Sequence, residues 1–180
     1  MTPTPTPNVR MREAVIETIT AMMAANPKIF FLSADFGSPR LDALSRSFPD
    51  RFINVGISEQ NLVNISAGLA LEGYTVYAYA IAPFLTMRCY EQIRINLALL
   101  STVRTMNVTL IGVGAGLSYD VSGPSHQAME DITLLRTLPG VEVMSPSDYV
   151  CATSLIGTTT ARAGIRYLRL DGKALPAIYS

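Results

Sequence analysis

The chain alternates short apolar runs with stretches in which apolar residues recur every three or four positions. From Arg10 to Ala25 that spacing puts Val15, Ile16, Ile19, Met22 and Met23 on one helical face, and Asn26-Pro27 ends the helix. IFFLS (29–33) is too short for a helix and reads as a buried strand. The alternation continues with a short helix around Leu41–Ser47 and a strand, Phe52–Val55. In SEQNLVNISAGLALEG, Leu62, Ile65 and Leu69 fall at helical spacing and Gly73 closes the helix. Thr75–Ala82 reads as a strand, and PFLTMRCYEQIRINLALLS as one long helix opened by Pro83. NVTLIGVGAG (107–116) predicts a strand running into glycines, LSYDVSGPS a loop, and HQAMEDITLLRTLP a helix that His126 opens. VEVM (141–144), a helix capped by Ser147, and GIRYLRL (164–170) complete the pattern.

Six strands alternating with helices, most of them apolar without a polar face, predict an α/β fold. The expected architecture is a doubly wound, six-stranded, mostly parallel sheet with helices on both faces. Ligands of such sheets sit beyond the carboxyl ends of the strands. The loops that follow strands here carry Asp35 to Ser38, Gly56 to Glu59, Pro83-Phe84, Gly112 to His126, and Arg169 onward, so they converge on one edge.

Composition narrows the classes. Hydrophobic residues are 49%, charged residues only 16%, and the mean hydropathy is +0.29, which suggests surface that another subunit covers. The longest apolar stretch, 74–85, is too short to span a membrane and soon meets Arg88, Glu91 and Arg94. With zero net charge and no basic stripe, nucleic acid is not an expected partner. Two cysteines and one histidine rule out a disulfide framework and a zinc site made by this chain alone. MTPTPTPNV (1–9) has no signal-peptide features and reads as a flexible lead to a single domain, 10–180, in a cytoplasmic protein.

The candidate chemistry starts at Glu59. Behind the possible N-cap Ser58, a glutamate in a first helical turn is a favourable capping charge. At a ligand edge it is equally placed to bind a nitrogen heterocycle. His126, the lone histidine, is structural or a hydrogen-bonding and proton-shuttling group; at a helix start the neutral imidazole is favoured. Phe84 and Tyr90 are core residues or stack on a flat ring. Arg12, Arg88, Arg94 and Arg169 are candidates for anion binding. The glycines at 112, 114 and 116 form neither a dinucleotide fingerprint nor a phosphate-binding loop.

Together, RFINVGISEQNLVNISAGLALEG, APFLTMRCYEQIR and VGAGLSYDVSGPSHQAMEDITLLRTLPGVEVMSPSD resemble, in order and spacing, the pyrimidine-binding domain of transketolases, from about Arg12 to Tyr179. The resemblance implies a thiamine diphosphate enzyme that moves a two-carbon ketol unit from a ketose or ketose phosphate to an aldose. In it Glu59 holds a ring nitrogen of the cofactor's aminopyrimidine, and so promotes the proton transfer that activates the cofactor. Phe84 and Tyr90 match aromatics around that ring, and Met87 stands where a second phenylalanine is frequent. Asp35 matches an acidic residue near cofactor and interface, and His126 matches a histidine that contacts substrate hydroxyls. Arg12 and Arg169 match arginines that bind the sugar phosphate.

Two departures concern the substrate: a histidine usual at Gly114 is missing, and so is an aspartate usual at Ser122, with Asp120 two residues early. No Gly-Asp-Gly…Asn diphosphate and metal motif occurs, nor a C-terminal domain. The expectation is therefore either a piece of a longer enzyme or a split enzyme, a hetero-oligomer built on a dimer. A diphosphate-binding subunit would supply most of the Mg2+ or Ca2+ site, and a further subunit could carry the C-terminal domain. The same resemblance admits two alternatives. One is a subunit of a deoxyxylulose-phosphate-synthase-like or 2-oxo acid-using thiamine diphosphate enzyme; the other is a non-catalytic structural subunit.

Overall fold

The computed structural model describes residues 8–179. In chain order the elements are β1 (Val9–Arg10), α1 (Met11–Ala25), β2 (Ile29–Ser33), α2 (Pro39–Ser47), β3 (Phe52–Asn54), α3 (Glu59–Leu71), β4 (Thr75–Ile81), α4 (Ala82–Thr86) and α5 (Tyr90–Gln92). A π-helical turn (Ile93–Leu99) and a 3-10 turn (Leu100–Thr102) continue α5. Then come β5 (Asn107–Val113), a 3-10 turn (Pro124–His126), α6 (Asp131–Arg136), β6 (Val141–Met144), α7 (Tyr149–Thr158), β7 (Gly164–Leu170) and β8 (Ala174–Leu175).

Strand β4 shows how the sequence dictates the layers. Val76, Ala78 and Ala80 join one buried cluster, while Tyr77 and Tyr79 join the other. A strand apolar on both faces needs cover on both sides. Helix α3, α4 and the π-helical turn supply it on the first side through Leu62, Val63, Leu85, Ile93 and Leu97. Helices α1, α2 and α7 supply it on the second through Val15, Ile19, Leu44, Ala152 and Ile156. The sheet is six-stranded in the order β3-β2-β4-β5-β7-β6, and every pairing in it is parallel. The order reverses on the two sides of β2 and again at β7, which opens crevices beyond the carboxyl ends there.

The expected doubly wound sheet is therefore present, with local differences. The first seven residues of the expected lead lie outside the described residues, but Val9 pairs with Leu175 in a separate antiparallel β1–β8 ribbon. Two-residue strands leave no periodicity to read. The long helix expected from Pro83 is broken at Met87–Cys89, where Cys89 leaves helical geometry at φ −105°, ψ 11°. The break frees the carbonyl of Arg88, which accepts from Gln60 Nε2 at 3.2 Å. Helix α6 starts only at Asp131, so His126 closes a 3-10 turn and does not sit at a helix N-terminus. Helix α7 is capped by Asp148, not Ser147: Asp148 Oδ1 accepts from Cys151 N at 2.8 Å, and Oδ2 accepts from Tyr179 N at 2.7 Å.

Gly112 marks a close approach inside the sheet. A Cβ there would lie 2.7 Å from Cε2 of the fully buried Tyr167. Gly112→Ala is expected to cost about 1–3 kcal/mol in urea unfolding, as overpacking does. Gly37→Ala, with open space around the new methyl, is expected to stay within about 0.5 kcal/mol of the parent.

Candidate active site

Strand β3 ends at Asn54, and Gly56 at φ +73° turns the chain into α3. Ser58 holds the N-cap position, yet its side chain caps nothing; its carbonyl accepts from Leu62 N at 2.9 Å. Glu59 is the first residue of α3 and only 3% exposed. The helix macrodipole favours a carboxylate there, but taking it out of water requires a partner. Arg88, carried back by the break after α4, donates from Nη1 to Glu59 Oε2 at 2.6 Å. Its guanidinium lies 4.5 Å from the centre of the Phe84 ring, and Phe84 meets His126 edge-on at 5.0 Å. Glu59, Arg88, Phe84 and His126 thus form one continuous group. His126 Nδ1 shares a hydrogen bond with Ser125 Oγ at 3.1 Å. Cys89, beside the pair, has its thiol pushed up to about 12 by burial and by the Glu59 carboxylate.

The second group starts at Arg169, the penultimate residue of strand β7. Its Nε donates to Asp131 Oδ2 at 2.8 Å and its Nη2 to the Ala128 carbonyl at 3.3 Å. Tyr167 donates to the same Asp131 oxygen at 2.7 Å, and burial with that carboxylate raises the phenol well above its ordinary range. Asp131 Oδ1 is buried with no partner. Gly116 and Ala128 exchange backbone hydrogen bonds at 3.0 and 2.9 Å and so close the loop that carries Tyr119, Ser122 and His126.

Beyond that loop, Arg12 at the start of α1 donates from Nε to Glu13 at 3.0 Å, with its guanidinium 5.5 Å over Phe36. Asp35, at φ +50°, is exposed and exchanges hydrogen bonds with Asn54: its backbone N–H donates to Asn54 Oδ1 at 3.1 Å, and its carboxylate accepts from Nδ2 at 3.0 Å. Met87 is half-exposed on the helix break, and Ser122 is exposed on its loop. The Tyr90 ring packs on the core and its hydroxyl pairs with Thr137 at 2.7 Å, in a groove it shares with Arg94 and Leu138. Tyr90 therefore stands apart from the Phe84–His126 ring pair. Arg88 is read from the sequence only as one of four arginines, because its role depends on a helix break that periodicity does not register. Asp131 and Tyr119 lie inside the stretch that carries the resemblance but are given no role of their own, and neither are Tyr79 and Phe36.

The fold is an α/β domain with Glu59, Phe84, His126 and Arg169 gathered beyond the carboxyl ends of its parallel strands. The chain belongs to the transketolase pyrimidine binding domain family, whose profile matches residues 7–176. It is 33% identical over 170 residues to a putative transketolase C-terminal section of Methanocaldococcus jannaschii, covering 94% of this chain and 52% of that protein. It is 37% identical over 135 residues to a subunit of the apulose-4-phosphate transketolase of Actinobacillus succinogenes, covering 75% of this chain and 42% of that protein. Among solved structures it superposes on a split gene transketolase, described as an inactive beta4 tetramer. There the TM-score is 0.83 at 31% identity, over 97% of this chain and 55% of that one. The chain thus spans about half the length of the curated relatives it matches.

The packing around Glu59 has a chemical readout. At pH 8 the Cys89 thiol is expected to stay protonated and unreactive toward iodoacetamide in the folded chain, and to react once guanidinium unfolds it. Peptide mass mapping distinguishes the outcomes; alkylation of Cys89 in the folded chain would mean that the break between α4 and α5 opens in solution.

Proposed function

We propose that this chain is the pyrimidine-binding half of a thiamine diphosphate-dependent, transketolase-type transferase. It works with a partner chain that holds the diphosphate and its Mg2+ or Ca2+. When bound, the cofactor supplies the carbon nucleophile that takes a two-carbon ketol unit from a ketose and hands it to an aldose. The observation that carries the reading is the Arg88 guanidinium. It is a flat, nitrogen-rich cation that already makes the two contacts an aminopyrimidine would make, an ionic hydrogen bond to buried Glu59 and a stack on Phe84. The residues present therefore suit such a ring, and Arg88 leaves when the ring arrives.

In this reading Glu59 holds a proton at a ring nitrogen, as a fixed carboxylate at a helix start is placed to do. Phe84 covers one ring face. His126, packed against Phe84, is one contact away from the ring and presents its imidazole to substrate hydroxyls. Asp131 fixes the direction of Arg169 and acts as its positioning residue. Exposed apolar side chains flank the same edge, Ile57 at 78% and Met87 at 42% exposure, and support a covering partner chain. The solved relative's description as an inactive tetramer supports assigning activity to the mixed complex. Among the described residues no group of three or more His, Cys, Asp or Glu could hold a metal, and no helix is long and apolar enough to cross a membrane. In this proposal the diphosphate and its metal are held by the partner chain.

Two substitutions test this in the complex reconstituted with the diphosphate-binding subunit. Glu59→Ala is expected to lower ketol transfer by about 10²-fold or more, the scale of a lost acid–base group. Unchanged transfer would overturn the role of Glu59. Arg88→Met removes the competing cation and is expected to tighten thiamine diphosphate binding about five- to tenfold by calorimetry, the factor that an ion pair of about 1 kcal/mol represents. Weaker binding would make Arg88 a contributor to the site.

A further inference from the structure

The roles proposed above leave one concavity of the carboxyl edge unused. It is a cleft of about 390 Å³ beside β2, walled by the loop after that strand, helix α2 and strand β3. Sheet order reverses here, so the crevice is open by topology. Ser33 forms its floor. Side chains alternate along a strand, so Ser33 shares the face of Phe31, whose ring stacks on Phe52 of the cleft wall at 5.9 Å. Ser33 is 2% exposed. Its carbonyl accepts from Val55 N at 2.9 Å, but its hydroxyl bonds to nothing among the described residues. A hydroxyl so deeply buried is seldom left without a partner.

The lip of the cleft is acidic. Asp35, after β2, and Asp42, in the first turn of α2, both line it and both are exposed. A helix start suits Asp42, yet neither carboxylate is in an ion pair among the described residues. The nearby arginines are engaged elsewhere: Arg40 with Glu17 at 3.2 Å, Arg12 with Glu13 at 3.0 Å, and Arg51 with the Asn26 carbonyl at 2.9 Å. Asn54 is used up as well. Its Nδ2 donates to Asp35, and its Oδ1 accepts from the backbone N–H groups of Asp35 and Gly56. What stays open is the second oxygen of Asp35, the Asp42 carboxylate and the Ser33 and Ser45 hydroxyls. The cleft is rich in acceptors and short of donors and positive charge. Two carboxylates do not make a metal centre, and none is found among the described residues.

We infer that this cleft is the socket for an arginine side chain of the partner chain. A guanidinium brings several N–H donors in one flat fork and keeps its charge when it is taken out of water. Its stem would lie along Leu41 and the Phe52 ring, which give the cleft apolar walls. This rests on the proposed function for the existence of a partner chain, and not for the reaction that the complex performs.

The test is the dissociation constant of the complex of this chain with the diphosphate-binding subunit, measured by calorimetry without cofactor or sugar. Asp42→Asn is expected to weaken assembly about fivefold at low salt, the factor an ion pair represents, and to flatten its salt dependence. Ser33→Ala is expected to weaken it by about the same factor, that of one hydrogen bond, with thermal unfolding of the chain alone unchanged. Asp50→Asn removes an exposed carboxylate ahead of β3, at the opposite edge of the sheet, and is expected to leave assembly as it is. Equal losses with Asp42→Asn and Asp50→Asn, or no loss with either cleft variant, would overturn the socket. Ketol transfer read on the same complexes keeps the two claims apart. A complex that assembles through the cleft but transfers nothing would sink the transferase reading and keep the socket. Full transfer by a complex that Asp42→Asn leaves as tight as the parent would sink the socket alone. A parent chain that does not assemble would overturn both.

Discussion

A carboxylate cannot be taken out of water without a partner, and much of the ligand edge follows from that requirement at Glu59. The helix start favours the charge but does not satisfy its oxygens. Arg88 does, and to reach Glu59 it needs the chain to leave helical geometry at Met87–Cys89. The break then brings Gln60 to the freed Arg88 carbonyl and lays the guanidinium on Phe84, which in turn meets His126. One ion pair thus links the helix after β3, the turn after β4 and the loop after β5. Arg12 and Arg169 repeat the pattern on a smaller scale, each held by a neighbouring carboxylate.

These pairings divide the edge into two ends. At the Glu59 end an internal cation occupies the face of Phe84, so a flat heterocycle has to displace something already bound. At the other end Arg12 and Arg169 are each held by a carboxylate, and the Tyr79 and Tyr119 hydroxyls are buried beside Arg12. In the proposed function the first end takes the cofactor ring. Exposed Ile57 and Met87 beside the first end fit the expectation that a second chain closes it.

The fold was legible in the sequence because its signals are local and redundant. Continuous apolar strands such as IFFLS and NVTLIGV can be covered on both faces in few ways, and each is followed by a helical period. What escaped were features set by tertiary contacts. The break at Cys89 sits inside an unbroken helical period, because Ile93 and Leu97 stay buried on both readings. The late start of α6 turned His126 from a helix-opening residue into the end of a 3-10 turn, which removes the helix-dipole reason for a neutral imidazole. Glu59, Phe84, His126 and Arg169 were singled out by their position after strands, and the fold brings them to one edge. Arg88 was not, since its contact rests on a carboxylate 29 residues upstream.

The central claim is that Glu59 and Phe84 hold the cofactor's aminopyrimidine in the place Arg88 now fills. The most direct measurement is a structure of the complex with its diphosphate-binding partner and thiamine diphosphate. The account requires the pyrimidine ring against Phe84, a ring nitrogen within hydrogen-bond reach of Glu59, and the Arg88 guanidinium displaced from both. A bound cofactor with Arg88 still stacked on Phe84 and paired to Glu59 would contradict it.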